Sequence, residues 1–286
     1  MPTADLRPMT LGEVLDRTFK LYKTNFWLFA GIMSLPFLVL FFFNVGIAWF
    51  TTSQVTAFRA GHVQSAGPLV AAGAGSVFLI MILTFVLTGI GEAATVFAVS
   101  DIYLGRPVSI RGSFNQVRGH VLQVLGTIFL TALAIGAGFI ALIIPGIILM
   151  CRLGLAVPAA MLEDIWPGTA LSRSMDLTKS FGMQMFLIFL LTFILAAAVT
   201  SFCTFPFLII AAMRGAQGLP FGMVVLQDAA SFVAQVIAAP VQTIAFSLMY
   251  YNLRVRKEGF DIEHLMGSLN ALPTSVMPAS GSALPS

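Results

Sequence analysis

The chain has 286 residues, of which 58% are hydrophobic and only 9% are charged. A soluble domain has about 25% charged residues, so the composition excludes a soluble globular protein and predicts an integral membrane protein in contact with the lipid bilayer. The cations behind the net charge of +3 are scattered between apolar segments and form no basic face with interleaved aromatics, which argues against a nucleic-acid partner. The first 25 or so residues are mostly polar or amphipathic, so we expect no cleaved signal peptide.

Long charge-free stretches predict the membrane spans. Each gap between neighbouring charged residues at 23–59, 59–92, 118–152, 179–214 and 228–254 exceeds the ~20 residues that cross the hydrocarbon. The pattern predicts an all-α, polytopic transmembrane helical bundle of about six spans within an integral membrane domain of residues 1–266. We place these spans at about 27–50, 69–99, 121–143, 146–162, 185–212 and 222–250.

The third and fourth spans depend on how the chain behaves at Ile144-Pro145-Gly146. Proline removes a backbone donor and glycine permits a turn, so the segment either kinks one long helix or turns the chain in a hairpin. Because the fourth span is short, a re-entrant hairpin is a third reading. Arg152 falls near the outer end of this span, where its long side chain could reach the headgroups or enter the bundle.

The distribution of basic residues favours six spans. With six spans, the outer segments contain only Arg59 and Arg214, whereas five spans place similar numbers of cations on the two sides. Cytoplasmic loops are enriched in Lys and Arg. We therefore predict a multi-pass protein of a bacterial inner membrane with both termini in the cytoplasm. The cations on the cytoplasmic side would be Arg7, Arg17, Lys20, Lys23, Arg106, Arg111, Arg118, Arg173, Lys179, Arg254, Arg256 and Lys257.

Amphipathic segments precede the first, third and fifth spans. Thr10-Leu11-Gly12-Glu13 reads as a capping box that starts the first, and the other two are predicted at Ser113 to Val121 and Gly168 to Phe181. The first and third share an Arg-x-apolar-x-Leu-x-Lys spacing, from Arg17 and from Arg173. This favours three repeated units of one interfacial helix plus two spans, although any basic entry to a membrane helix has a similar composition.

Catalytic patterns are absent from the sequence. His62, His120 and His264 lie in separate segments without metal-ligand spacing, and Cys151 and Cys203 lie in apolar stretches where neither a disulfide nor a metal site is indicated. Nucleophile-elbow, Walker and dinucleotide-binding glycine patterns are also missing. We therefore predict that the protein is not an enzyme and has no cofactor. Residues 267–286, which are mainly Gly, Ser, Ala, Leu and Pro, are predicted to be a disordered cytoplasmic tail.

Three charged residues form a candidate intramembrane polar site: Glu92, Arg152 and Asp228. Glu92 lies about seven residues from the cytoplasmic end of its span, roughly 10 Å deep at 1.5 Å per residue. Desolvation makes such groups costly unless they face the bundle or water, so they are candidates for a proton or cation path. The simpler reading is that interhelical hydrogen bonds satisfy them. Asp228 lies near the outer end of the last span, where an interfacial position is expected.

Three stretches together carry a family resemblance: Leu6 to Arg17, Pro158 to Thr178, and Tyr250 to Asp261. They resemble the bacterial membrane-protein family named after the membrane domain of glycerophosphoryl diester phosphodiesterase. The most specific piece is Arg-Val-Arg-Lys-Glu-Gly-Phe-Asp at 254–261. The resemblance implies an integral membrane module of unknown activity. Some relatives carry a soluble phosphodiesterase domain, but the resemblance supplies no catalytic residues here.

The distinctive charges at the end of the last span are a candidate cytoplasmic interface, formed by Arg254, Arg256, Lys257, Glu258 and Asp261. They could dock another membrane protein or anionic lipid headgroups, or they could simply set the topology. The leading prediction is a non-catalytic scaffold or a regulatory or assembly factor. The alternative is a small permease or ion-coupled transporter that uses Glu92 and Arg152, which requires a water-accessible cavity joining its charged residues.

Overall fold

The computed structural model describes residues 9–59, 67–215 and 219–258, and helices are the only regular secondary structure in these ranges. The predicted tail at 267–286 and Asp261 lie outside them. The helices are α1 (Leu11–Thr24), α2 (Phe26–Arg59), α3 (Gly67–Tyr103), α4 (Ile110–Arg118), α5 (Val121–Ala141), α6 (Ile143–Leu153), α7 (Ala156–Glu163), α8 (Pro167–Thr178), α9 (Gly182–Arg214) and α10 (Phe221–Glu258).

Six segments of the described chain are long and apolar enough to cross a membrane, so the protein is a multi-pass membrane protein with an all-α bundle. The segments are Phe26–Gln54, Gly73–Tyr103, Val121–Ala141, Ile143–Glu163, Gly182–Arg214 and Phe221–Lys257. The fourth combines α6 and α7, which are separated by a turn at Gly154 and Leu155. Their surfaces expose many large apolar side chains, as lipid contact requires.

Two of the three short amphipathic helices, α1 and α4, begin with a side-chain cap. Thr10 caps α1 in the predicted capping box, because its hydroxyl accepts from Glu13 N (3.4 Å) and the Glu13 carboxylate accepts from Thr10 N (2.6 Å). The prediction for α4 was wrong in its bounds. Ser109 caps this helix by accepting from Gly112 N, so α4 starts at Ile110 and ends before Gly119 and not at Val121.

Each amphipathic helix is followed by a helical hairpin, giving the units α1–α3, α4–α7 and α8–α10. An equivalent junction residue stands immediately before the first span of each unit: Asn25, His120 and Phe181. The amphipathic helix ends directly before the junction in the first unit, one residue earlier in the second and two residues earlier in the third. In every unit the backbone N–H of the residue four places later donates to the junction carbonyl, at 2.9 to 3.2 Å. The chain therefore enters the three hairpins through the same turn.

Burial follows the same pattern around the three junctions, which supports the predicted repeat. A small hydroxyl residue is buried seven places before each junction, at Thr18, Ser113 and Ser174. The residues buried four and seven places after the junctions are Phe29 and Ile32, Val124 and Thr127, and Met185 and Ile188. Because equivalent positions are buried in the three amphipathic helices and in the three spans that follow them, the three units turn the same faces toward the bundle.

A change of surface character marks the membrane boundary at each junction. Two places before it lies an exposed basic residue, namely Lys23, Arg118 or Lys179. Two places after it lies a large exposed apolar side chain: Trp27 is 84% exposed, Leu122 78% and Met183 71%. Cations at the headgroups and apolar side chains just below them are typical of the edge of the hydrocarbon. Each of the three hairpins therefore enters and leaves the apolar layer near the level of α1, α4 and α8.

The middle unit is a hairpin, and the expected break at Ile144-Pro145-Gly146 is displaced to Leu142, whose backbone is extended. Pro145 lies in the first turn of α6, where its missing N–H breaks no helical hydrogen bond. A Cβ on Gly146 would lie 2.6 Å from the Phe139 ring, and one on Gly138 would lie 3.0 Å from the Gly146 Cα. The glycines thus permit α5 and α6 to pack closely side by side.

The tip of this hairpin differs from the tips of the other two. No polar side chain occurs from residue 132 to residue 151, and Ile140 is 89% exposed. The first and third hairpins instead have Arg59 and Arg214 close to their loops. The middle hairpin is also shorter, since α5 has 21 residues whereas α2 and α9 have 34 and 33. At 1.5 Å per residue, α5 is about 31 Å long, the thickness of the hydrocarbon alone.

The close approach of α5 and α6 gives a stability prediction with a matched control. Gly138→Val places a side chain against the backbone of α6, whereas Gly136→Val on the same helix meets nothing within 4 Å. We expect Gly138→Val to cost about 1–3 kcal/mol more than Gly136→Val, because overpacking adds to the shared change in helix propensity. Thermal unfolding of the two detergent-solubilised variants measures the difference, and equal melting temperatures would contradict the packing.

Candidate functional site

The last turns of α10 are the most buried polar segment of the described chain. Tyr250, Tyr251, Asn252 and Leu253 are at most 3% exposed. Buried polar groups are tolerated where they find hydrogen-bond partners, and here the partners come from the amphipathic helices and the ends of other spans. We call this region, formed by α1, α4, α8 and the last turns of α3, α7 and α10, the polar end.

Glu163, the last residue of α7, connects three elements of the polar end. Its carboxylate accepts from Arg173 Nε of α8 at 3.0 Å and from the Tyr250 hydroxyl at 2.7 Å, and Arg254 Nε lies 3.8 Å away. Glu163 and Arg254 side chains are only 16% and 17% exposed. Low exposure strengthens the attraction and makes each unpaired charge costly, so this cluster fixes α7 and α8 against α10.

Asn252 connects the start of α1 to α10. Its side-chain amide donates to Met9 O (3.0 Å), and its carbonyl accepts from Met9 N (2.8 Å). Arg256 adds a third bond by donating from its guanidinium to Met9 O at 2.6 Å. Farther along α1, Tyr22 donates to Ile237 O at 2.8 Å, and burial raises the pKa of Tyr22 to about 12. These contacts hold α1 against α10 at both of its ends.

Tyr251 connects α3 to the same centre. Its hydroxyl donates to the Ser100 hydroxyl at 2.8 Å, and its ring stacks on that of Tyr103 with centroids 4.7 Å apart. The guanidinium of Arg17 in α1 lies over the Tyr103 ring, 5.0 Å from its centroid. Asp101 accepts from Gln116 of α4 at 2.9 Å. All three amphipathic helices are therefore joined, directly or through α3, to the last turns of α10.

Three residues of the candidate cytoplasmic interface have contacts within the protein. Arg254 lies beside Glu163, and Arg256 donates to the Met9 carbonyl. The Lys257 ammonium donates to the backbone carbonyl of Asp176 in α8 at 2.5 Å. Arg256 and Lys257 are nevertheless exposed, so they combine an intramolecular contact with a position on the surface.

Glu92 lines a cavity of about 260 Å³ between the helices of the bundle. Side chains from α3, α5, α6, α7, α9 and α10 form its walls, so all three units contribute. The cavity lies below the polar end, because the neighbouring Gly91 packs against Met33 and Pro36, roughly 10–15 Å along α2 from its start. Thr131 and Gln242 are among its other polar side chains.

Arg152 and Asp228 lie apart from that cavity. Arg152 was expected near the outer end of its span, but its carbonyl accepts from Ser174 (2.7 Å) and Thr178 (3.1 Å) of α8, and its side chain is exposed. Asp228 faces a second cavity of about 170 Å³ that is also lined by Asn44 and Gln235, so it is not simply interfacial. The three members of the predicted intramembrane site are not brought together.

Sequence reasoning missed the central role of Glu163, Tyr250 and Asn252, although all three lie within the stretches that carry the family resemblance. Polar residues at an otherwise apolar helix end are the sequence signal that points to such a role. Their partners could not be identified from it, because they are distant in sequence. A metal site has no support in the described ranges, since no three His, Cys, Asp or Glu side chains cluster there.

The Glu163 cluster predicts unequal effects for two neighbouring carboxylates. Glu163→Gln removes the negative charge between Arg173 and Arg254, whereas Asp164→Asn changes a side chain that is 75% exposed and lies 3.3 Å from His120. We expect a cost of roughly 1–3 kcal/mol for Glu163→Gln, and about 0.5 kcal/mol or less for Asp164→Asn. Thermal unfolding in detergent measures both, and an equal effect of the two would show that the cluster does not stabilise the polar end.

The chain matches no protein-family model, no curated protein and no solved structure. The resemblance to the family named after the glycerophosphoryl diester phosphodiesterase membrane domain therefore stays a prediction. The structure shows where the three stretches that carry this resemblance lie. Their described parts, 9–17, 158–178 and 250–258, meet at the polar end through Met9, Glu163 and Asn252.

Proposed function

We propose that this chain is a non-catalytic scaffold or assembly factor of a bacterial inner membrane, which presents the polar end to another membrane component on the cytoplasmic side. The observation behind the proposal is that the distinctive polar residues of the chain are used to join α1, α4 and α8 into one unit. A surface fixed in this way loses little conformational entropy when a partner binds.

The exposed faces of the amphipathic helices supply the binding surface in this proposal. Five places before each junction lies an exposed polar side chain, at Lys20, Asn115 and Asp176. Four places farther from the junctions, Asp16, Arg111 and Ser172 are exposed as well. Mixed charge and polarity suit a reversible protein contact, whose rim is usually polar.

The basic residues at the three junctions support the cytoplasmic orientation. Lys23, Arg118 and Lys179 are all exposed at the membrane boundary, whereas the opposite ends of the spans have Arg59 and Arg214. Positive charges concentrate on the cytoplasmic side of bacterial inner-membrane proteins. Near anionic headgroups, each such cation contributes ~1 kcal/mol to association with the lipid surface. Anionic lipids are therefore partners of the same boundary.

The geometry favours a scaffold over the permease alternative. A transporter of polar solutes concentrates polar groups in a continuous cavity near the middle of the membrane. Glu92 and Asp228 instead line two different cavities, and the Arg152 side chain lines neither. The polar contacts of the described chain are most concentrated at the polar end, outside the apolar layer.

Photo-crosslinking in living cells tests the proposed surface. A photoreactive phenylalanine analogue replaces Lys20, Asn115 or Asp176 in turn, with Phe202, which is 84% exposed on the apolar surface of α9, as the matched control. We expect a protein adduct of one common mass from at least two of the three polar-end positions and none from Phe202, because only the polar end meets the partner.

Two outcomes would contradict the scaffold. Protein adducts from Phe202 alone would place the partner against the spans. Unreacted protein at all three polar-end positions, alongside lipid adducts at Phe202, would show that the surface has no partner. A membrane-impermeant thiol reagent applied outside intact cells to Lys20→Cys in a Cys151→Ser/Cys203→Ser background checks the orientation. Labelling there would place the polar end on the wrong side.

A further inference from the structure

The cavity beside Glu92 lies where the three units of the bundle meet. Its walls come from α3 of the first unit, from α5, α6 and α7 of the second, and from α9 and α10 of the third. Small-molecule sites often occur between the helices of a bundle, as apolar pockets with a few converging polar groups. At about 260 Å³, this cavity lies just below the roughly 300–1,000 Å³ of typical ligand pockets, so it has room only for a small ligand.

Three polar side chains in this cavity have unused hydrogen-bonding capacity. Within the described residues, neither the Glu92 carboxyl nor the Gln242 side-chain amide makes a hydrogen bond or an ion pair. The Thr131 hydroxyl oxygen is buried and is also without a hydrogen-bond partner in the described chain. A buried oxygen without a partner, as in Thr131, costs free energy. The two half-buried polar side chains that line the same cavity are also unpaired, and together the three indicate a ligand that satisfies them at once.

Thr131 differs from the buried threonines of the described chain, because its buried hydroxyl has no hydrogen-bond partner. Thr95, Thr127 and Thr192 each donate their hydroxyl to the carbonyl four residues earlier in the helix, at 2.7 to 2.9 Å. This local bond is the ordinary way for a threonine to satisfy its hydroxyl within a helix. Thr131 lies one turn after Thr127 on α5 but does not make the bond, so its oxygen remains available to the cavity.

The charge of Glu92 also lacks a counter-ion from the protein. Lys, Arg and His are all missing from the lining of the cavity, and the nearest basic residue along α6, Arg152, has its side chain on the surface. A carboxylate in a membrane interior is stable when a cation pairs with it. The cavity therefore combines apolar walls with a carboxyl group that has no counter-ion from the protein, a combination that suits a cation carrying an apolar group.

We propose that this cavity binds a primary amine with a short apolar body, with its ammonium group held by Glu92, Thr131 and Gln242. An ammonium group has three N–H donors and no acceptor. The carboxylate of Glu92, the hydroxyl oxygen of Thr131 and the side-chain carbonyl of Gln242 offer three acceptors. The apolar body then contacts Phe189 and Phe246, whose rings stack with centroids 6.2 Å apart.

This site is independent of the proposed scaffold function. The cavity lies within the spans, whereas the surface proposed for a partner lies on α1, α4 and α8. Amine ligands have two sources, a free alkylamine or the amine headgroup of a membrane lipid. Both present the same ammonium group to Glu92. They differ in that a lipid amine of the surrounding membrane would fill the site without any added ligand.

Binding of hexylamine to the full-length protein tests the proposal. The protein is reconstituted in nanodiscs of phosphatidylcholine and phosphatidylglycerol, which contain no primary amine, and hexylamine, hexanol and hexanoate are titrated by calorimetry. We expect saturable binding of hexylamine, with hexanol and hexanoate at least about tenfold weaker, because they lack the charge-assisted hydrogen bonds to Glu92.

Variants then assign the binding to the cavity. Glu92→Gln keeps the size of the side chain and is expected to weaken the binding of hexylamine about tenfold or more. Thr131→Val is expected to weaken this binding several-fold. Asp228→Asn removes an acid from the other cavity and is the matched control, with unchanged affinity expected. An unchanged melting temperature of each variant without ligand confirms that the bundle is intact.

Three results would overturn the proposal: no saturable binding of hexylamine, equal binding of hexylamine and hexanol, or equal affinity of the wild type and an intact Glu92→Gln. Repeating the titration in nanodiscs with phosphatidylethanolamine identifies the source of the natural ligand. If this lipid weakens hexylamine binding by competition, the natural ligand of the site is a lipid amine. If the hexylamine affinity is unchanged, the natural ligand is a free amine.

Discussion

Hydrogen bonds from the last turns of α10 hold the three amphipathic helices at one end of the bundle. Glu163 brings α7 and α8 to Tyr250, Asn252 fixes the start of α1, and Tyr251 joins α3. Tyr250, Tyr251 and Asn252 are almost completely buried, so breaking one of their contacts leaves a polar atom without water or protein to bond. The arrangement of the polar end depends on this set of contacts, and the entry of each hairpin into the membrane depends on the polar end.

The rest of the fold follows from a division between two solvents. Below the junctions, apolar side chains face lipid and the helices satisfy their own backbone groups. Above them, amphipathic helices cover the ends of the spans with cations at the boundary. The same sequence of turn, buried positions and exposed positions occurs three times, with the middle hairpin the shortest. The cavity near Glu92 is lined by helices of all three hairpins.

The sequence predicted those features that rest on local patterns. Charge-free stretches predicted the six apolar helices, and the Thr10 capping box was found where it was predicted. The sequence did not predict features that depend on contacts between residues far apart in the chain. The break at Leu142 depends on how closely Gly138 and Gly146 approach, and the position of Arg152 depends on α8 folding back to Ser174 and Thr178. Likewise, nothing in the spacing of Glu92, Thr131 and Gln242 shows that they line one cavity.

Distances between α1, α4 and α8 show whether these helices form one rigid end. Spin labels are attached in pairs at Lys20, Asn115 and Asp176, one exposed position on each helix, in a Cys151→Ser/Cys203→Ser background. Double electron-electron resonance in nanodiscs then gives three distance distributions. We expect one narrow peak for each pair, because buried contacts fix all three helices to α10. A broad or multiple distribution for any pair would show that its helices move independently and that the polar end is not one rigid unit.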